Sequence, residues 1–241
     1  MRKILVLQHI QTEDLGIIEK FLRNNNLRIF YVRLYKNEKI PLNLDDFVMM
    51  ISLGGPMDVW MEDKFPWLVD EKKAIRKFVI ELEKPFLGIC LGCQLLGEIV
   101  GGNIVKSRQP EIGFYQTYLT EEGSKDRVFS DFPMNFSVFQ WHSYEVDKIL
   151  NPNVVILASS ENTPIQLFKY KDHAYGMQFH IEIDENTIRK WSTETSYFLV
   201  LEKRFGKNPI ENLESQQKDK ISSMHNLCKK IFENFLHYEI L

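Results

Sequence analysis

A chain of 241 residues with 44% hydrophobic and 26% charged content can bury a full core, and suits one large α/β domain or a domain with an appendage. The formal net charge of -3 gives no electrostatic case for binding nucleic acid, and no apolar run approaches the roughly 20 residues that a membrane span needs. Three cysteines are too few for a disulfide framework, so a soluble protein of the reducing cytoplasm is expected.

The first residues, MRKILVLQH, carry an apolar run too short for a signal peptide and read as a buried strand. In EDLGIIEKFLRNNN, Leu15, Ile18, Phe21 and Leu22 recur at helical spacing before an asparagine-rich stop. Leu27–Leu34 is rich in aromatic and β-branched residues. Asp46–Gly55 is a further apolar run, ending in two glycines before Pro56. Phe65–Lys84 has the apolar stripe of an amphipathic helix. Pro85–Cys90 is a strand that runs directly into the helix-spaced LGCQLLGEIVGG. Apolar strands alternating with amphipathic helices indicate a parallel sheet covered on both faces. The crevice of such a sheet lies at the carboxyl ends of its strands, where both SLGGPM and GICLG fall.

From about Gly102 the pattern changes. EIGFYQTYLT, FSVFQWHSYEV, NVVILASS, PIQLFKYKD and AYGMQFHIE are strand-like with short turns, which predicts an antiparallel segment added to the sheet. One helix is expected over Asp184–Gly206, with Asp184 as its N-cap. The tail, Asn208–Leu241, reads as one long polar helix. Its Ile221, Met224, Cys228, Ile231 and Phe235 fall at alternating steps of three and four. Such a stripe serves either to dock the helix on its own domain or to bind a partner.

The chemistry concentrates at Cys90. Cys90 and Cys93 have the C-x-x-C spacing of a redox dithiol or of half a metal site, or they are two buried thiols without chemistry. A zinc site would need two more paired ligands, and no such pair occurs. Gly88-Ile89-Cys90-Leu91-Gly92 instead has the form of a nucleophile elbow. Glycines on either side let a strand and a helix approach closely while the strained turn pushes the thiol into the crevice. There a helix N-terminus favours thiolate, and the Leu91 N–H points where an oxyanion would form. A cysteine nucleophile needs a base and an orienting group. His180, in YGMQFHIE, has Glu182 two residues on, hence on the same side of an extended segment. His142 is the competing base, without a carboxylate at that spacing. His9, His173, His225 and His237 have no supporting context.

Three motifs together carry a resemblance. GICLGCQLL resembles the nucleophile motif of the class I, triad-type glutamine amidotransferases, GMQFHIE their H-P-E motif, and SLGGPMDVW their glycine-rich oxyanion loop. They occur in the family's order over roughly residues 1–190, and QWHSYEV with QFH-x-E is most similar to the GMP-synthase-like subgroup. The resemblance implies a flavodoxin-like, mostly parallel sheet with helices on both faces and an added antiparallel segment. It implies an amidotransferase domain over residues 1–190 and a C-terminal helical extension over 191–241, packed on the same domain. Cys90 would be the nucleophile, His180 the general base and acid, and Glu182 its orienter. The N–H groups of Gly55 and Leu91 would be the oxyanion donors. Gln94, Trp141, Ser143 and Tyr144 would bind substrate. Ile181 replaces the family's proline, Met57 a small residue, and Ser143-Tyr144 the usual wording after the histidine.

No metal and no cofactor is implied. Glutamine or another γ-glutamyl compound is the expected substrate, and a synthase that accepts ammonia is a possible partner of such a domain. No P-loop or similar nucleotide motif occurs, so a free-standing amidotransferase domain is expected. Three roles fit it: the glutaminase of a two-part synthase, a self-contained hydrolase of γ-glutamyl compounds, and a non-catalytic regulator of the same fold.

Overall fold

A computed structural model of the chain describes residues 2–240. Its strands are β1 (Lys3–Gln8), β2 (Arg28–Arg33), β3 (Phe47–Ser52), β4 (Phe86–Ile89), β5 (Gly102–Leu119), β6 (Asn135–Ile149), β7 (Val154–Ser159), β8 (Leu167–Tyr170) and β9 (Ala174–Met177). Its α-helices are α1 (Ile17–Asn24), α2 (Trp67–Arg76), α3 (Leu91–Ile99), α4 (Glu121–Lys125), α5 (Thr187–Trp191), α6 (Thr195–Phe205), α7 (Pro209–Gln217) and α8 (Ile221–Phe235).

All the strands join one sheet in the order β2-β1-β3-β4-β9-β8-β7-β5-β6. The pairings from β2 through to β9 are parallel, and those from β9 to β6 are antiparallel. The expected α/β architecture with an added antiparallel segment is therefore present. Apolar side chains of β1, β3 and β4 are buried on both faces, which is why those strands read as unbroken apolar runs.

Register places the site. β4 pairs with β9 so that Gly88 faces Gly176 and Ile89 faces Met177. The Cys90 N–H donates to the Met177 carbonyl at 2.8 Å, so the chain leaving β9 passes beside the start of α3. Three residues further, His180 forms a bridge with Phe139 of β6, its N–H donating to the Phe139 carbonyl at 2.8 Å. The β5–β6 ribbon at the sheet's end thus folds back over the carboxyl edge of its centre.

The helix expected over Asp184–Gly206 is two helices, α5 and α6. Ser192 and Thr193 turn their hydroxyls back onto the Ile188 and Lys190 carbonyls at 2.7 and 2.8 Å, and this local bonding competes with helix propagation. Asp184 lies before α5 and accepts from the Asn186 N–H at 2.9 Å. The expected tail helix is likewise two, α7 and α8, with a wider π turn over Leu236–Ile240. The break follows Gln217, whose buried amide donates to the Asp184 carbonyl at 2.7 Å. Leu241 lies outside the described residues. Ile221, Met224, Cys228, Ile231 and Phe235 are all buried, with Phe235 against Tyr175 of β9 and Phe232 against Phe21 of α1. This stripe is occupied by the chain's own core.

Candidate active site

Cys90 sits between β4 and α3 with φ 50° and ψ -104°, a conformation that an L-residue adopts at a cost. The flanking glycines are steric requirements. A Cβ on Gly88 would lie 2.3 Å from the Gly92 carbonyl oxygen, and one on Gly92 would lie 2.1 Å from that of Ser52. The turn presents Cys90 to a cleft, whereas Cys93, one helical turn on, is wholly buried against Gly176 of β9. Burial, and then the neighbouring Cys90, hold the Cys93 thiol well above its ordinary pKa. The two cysteines are unbonded and face different surroundings.

His180 is buried, and its Nδ1–H donates to Glu182 Oε1 at 2.6 Å. The other Glu182 oxygen accepts the Ile181 N–H at 2.9 Å, a bond that a proline at 181 could not make. Trp191 packs edge-on against the imidazole at 4.7 Å. Burial opposes charge on the ring. The Glu182 charge and hydrogen bond, together with the nearby Cys90, outweigh it, raising His180 well above the ordinary histidine pKa. His142 is committed elsewhere: its nitrogens meet Glu111 and the Tyr144 carbonyl, each at 3.1 Å.

The cleft has a volume of about 220 Å³. Gly55, Cys90, Gln94, Trp141, Ser143 and Tyr144 all line it. Gln94 is oriented by donating to the Tyr144 carbonyl at 2.8 Å. Among the described residues, the N–H groups of Gly55 and Leu91 have no acceptor, so both are free to meet a developing negative charge. No cluster of metal-ligating side chains occurs among the described residues.

The structure adds residues that sequence reasoning missed. Ser196, Tyr197 and Val200 of α6 form one wall, so the C-terminal extension reaches the cleft. Helical periodicity marks the apolar face of α6 but not what that face meets. Tyr197 donates its hydroxyl hydrogen to the buried carboxyl of Glu13. That carboxyl lies beside His180: a Cβ on Gly54 would be 2.1 Å from Glu13 Oε2 and 3.1 Å from His180 Cε1. Burial pushes Glu13 above the usual carboxylate range, against the pull of the His180 charge and the Tyr197 hydrogen bond. His9, left without a role by its sequence context, lies beneath the Gly54-Gly55 loop. The position of both residues just after β1 was the available signal, since the crevice lies at strand carboxyl ends.

This sheet, with a cysteine elbow at its carboxyl edge and a His–Glu pair facing it, has the architecture of the triad-type amidotransferases. The profile of the class-I glutamine amidotransferase family matches residues 15–194, and the chain belongs to that family, whose general activity is hydrolysis of glutamine. It is 31% identical over 183 residues to the glutamine amidotransferase-like protein YfeJ of Salmonella typhimurium, covering 72% of this chain and 73% of that protein. It is 35% identical over 144 residues to one subunit of the glutamine-hydrolyzing GMP synthase of Sulfurisphaera tokodaii, covering 58% of this chain and 70% of that relative. The crystal structure of a glutamine amidotransferase from Thermotoga maritima matches with a TM-score of 0.86 at 30% identity, over 98% of each chain. Its similarity therefore extends through the C-terminal helices. No helix among the described residues is long and apolar enough to cross a membrane.

Proposed function

We propose that the chain is a glutaminase that cleaves the glutamine side-chain amide through a γ-glutamyl thioester on Cys90 and releases ammonia to an acceptor or a partner synthase. The reading is carried by one arrangement: Cys90 at the elbow, His180 beside it and Glu182 behind His180, at the edge of a cleft with two free N–H groups. The Cys90 sulfur attacks the γ-carboxamide carbon, forming the C–S bond as the carbonyl electron pair moves onto oxygen. The N–H groups of Gly55 and Leu91 hold that oxyanion; one such donor is worth about 10²–10³ in rate. Collapse breaks the C–N bond, and His180 gives its proton to the departing ammonia. His180 then takes a proton from water, whose oxygen attacks the thioester carbon; the C–S bond breaks, releasing glutamate and returning the Cys90 thiolate. Gln94, Trp141, Ser143 and Tyr144 hold the amino-acid end of the substrate.

Residues 1–190 are the amidotransferase domain of this reading, and 191–241 are an extension of the same domain. A free thiol nucleophile suits a reducing cytoplasm. The similarity to one subunit of a GMP synthase supports a partner synthase as the ammonia acceptor. A second reading, a self-contained hydrolase of γ-glutamyl compounds, is favoured by the cleft wall that α6 supplies from the same chain. A glutaminase assay of the purified protein, alone and beside Cys90→Ala, tests the proposal. Glutamate release that disappears in Cys90→Ala supports it, and unchanged release overturns it. Turnover of γ-glutamyl peptides without turnover of glutamine favours the second reading.

A further inference from the structure

His9 follows β1 and its side chain is wholly buried. Its Nδ1 lies 2.9 Å from the Gly54 carbonyl oxygen, and its Nε2 lies 2.9 Å from each carboxylate oxygen of Glu71. A carbonyl can only accept, so Nδ1 carries hydrogen and donates to Gly54, while Nε2 shares a hydrogen with Glu71. Burial opposes charge on the ring, but the charge and hydrogen bond of Glu71, the Gly54 carbonyl and the more distant Glu13 raise the His9 pKa above the ordinary value. Glu71 comes from α2, is itself buried, and also accepts the Ser52 hydroxyl at 2.8 Å. Trp67 stacks on the ring with centroids 5.5 Å apart. The ring is therefore held from α2 and from the loop after β3, with no part of it lining the cleft.

The contact with Gly54 matters because of what the next atom does. Gly54 and Gly55 are consecutive glycines, so the peptide joining them can rotate with no Cβ to resist. The peptide is trans, and a trans peptide points its C=O and N–H in opposite directions. A carbonyl pinned to His9 therefore turns the Gly55 N–H away from His9, toward the cleft that Gly55 shares with Cys90. Rotation of this peptide would put a carbonyl oxygen where the oxyanion needs a donor. It would also strand the Nδ1–H of His9 in a buried site.

We propose that His9, braced by Glu71, is a positioning residue that latches the Gly54–Gly55 peptide so that its N–H faces the oxyanion. The latch rests on the glutaminase reading, in which the Gly55 N–H is an oxyanion donor. It acts on the transition state and leaves the thiol and the ground-state substrate contacts alone.

Two near-isosteric variants separate the two ends of the ring. Asn at position 9 puts an amide N–H where Nδ1 stands and keeps a donor for Gly54. Gln puts its N–H where Nε2 stands and keeps only the Glu71 contact. With glutamine as substrate, His9→Gln is expected to lose about 10²-fold in kcat, with KM within about threefold of the parent, and His9→Asn to recover most of the loss. Alkylation of Cys90 by iodoacetamide, which forms no oxyanion, is expected at the parental rate in both. A crystal structure of His9→Gln should show the 54–55 peptide rotated. Equal kcat in His9→Gln and the parent, a fall in alkylation that tracks the fall in kcat, or an unrotated peptide would each overturn the latch. Absence of glutaminase activity in the parent itself would instead defeat the functional reading, and the peptide orientation in the His9→Gln crystal would still decide the latch.

Discussion

Tyr197 on α6 donates its hydroxyl hydrogen to Glu13 at the carboxyl edge of the sheet, and so ties the C-terminal helices to a carboxyl group beside His180. A segment that the sequence presents as an appendage thereby forms part of the cleft.

Removing that hydroxyl tests the tie. Tyr197→Phe leaves the buried Glu13 carboxyl without its donor, which should lower stability by about 1–3 kcal/mol in urea unfolding. Combining it with Glu13→Leu, which removes the stranded carboxyl, should restore part of that loss. An additive double variant would mean that the two groups do not depend on each other.

The pH dependence of activity should follow His180. Its folded pKa is raised, so its contribution to stability is fully present below the unfolded value near 6.5 and is lost as pH rises through the folded value. In the proposed reaction the same deprotonation would remove the imidazolium that delivers a proton to ammonia. Glu182→Gln removes the main group raising this pKa. The alkaline limb of kcat/KM should therefore move to lower pH, with a loss of about 10²–10⁴ at the optimum. A rate profile whose alkaline limb stays in place would show that Glu182 does not govern His180.

Backbone strain at Cys90 separates stability from activity. Cys90→Gly and Cys90→Ala should both be inactive, but the glycine variant relieves the φ of 50° and should be more stable than the alanine variant by about 1 kcal/mol. Cys93→Ser should retain most activity, because Cys93 packs against Gly176 outside the cleft. Loss comparable to Cys90→Ala would point to a dithiol.

Gly92 leaves no room for a side chain. A methyl group there meets the Ser52 backbone, with the carbonyl oxygen at 2.1 Å, and no flexible side chain can yield. Gly92→Ala should cost about 3 kcal/mol or more and displace α3 from β3, measurable as a lowered Tm. Gly101→Ala, with open space around it but a φ of 91°, should cost only its backbone strain.

Alternating apolar strands and amphipathic helices were legible because burial on both faces leaves β1, β3 and β4 without polar residues at alternate positions. The elbow was legible because its steric demand falls on glycines two residues either side of Cys90. Helix breaks at 192–194 and 218–220 were not. They depend on hydroxyl and amide side chains whose partners, such as the Asp184 carbonyl for Gln217, are distant in sequence. The orientation of Gln94 by Tyr144 was hidden for the same reason.

What the sequence by itself determined is local: the strand–elbow–helix at Cys90, the pairing of His180 with Glu182 two residues on, and the glycine-rich loop. Each is set by spacing within a few residues, where chain geometry leaves few alternatives. Only the tertiary structure decided that α6 walls the cleft, that Glu13 lies beside His180, and that His9 sits between Glu71 and the Gly54 carbonyl. Those relationships join residues tens to hundreds of positions apart. They exist because sheet register and helix docking bring buried polar groups to the only partners that can satisfy them.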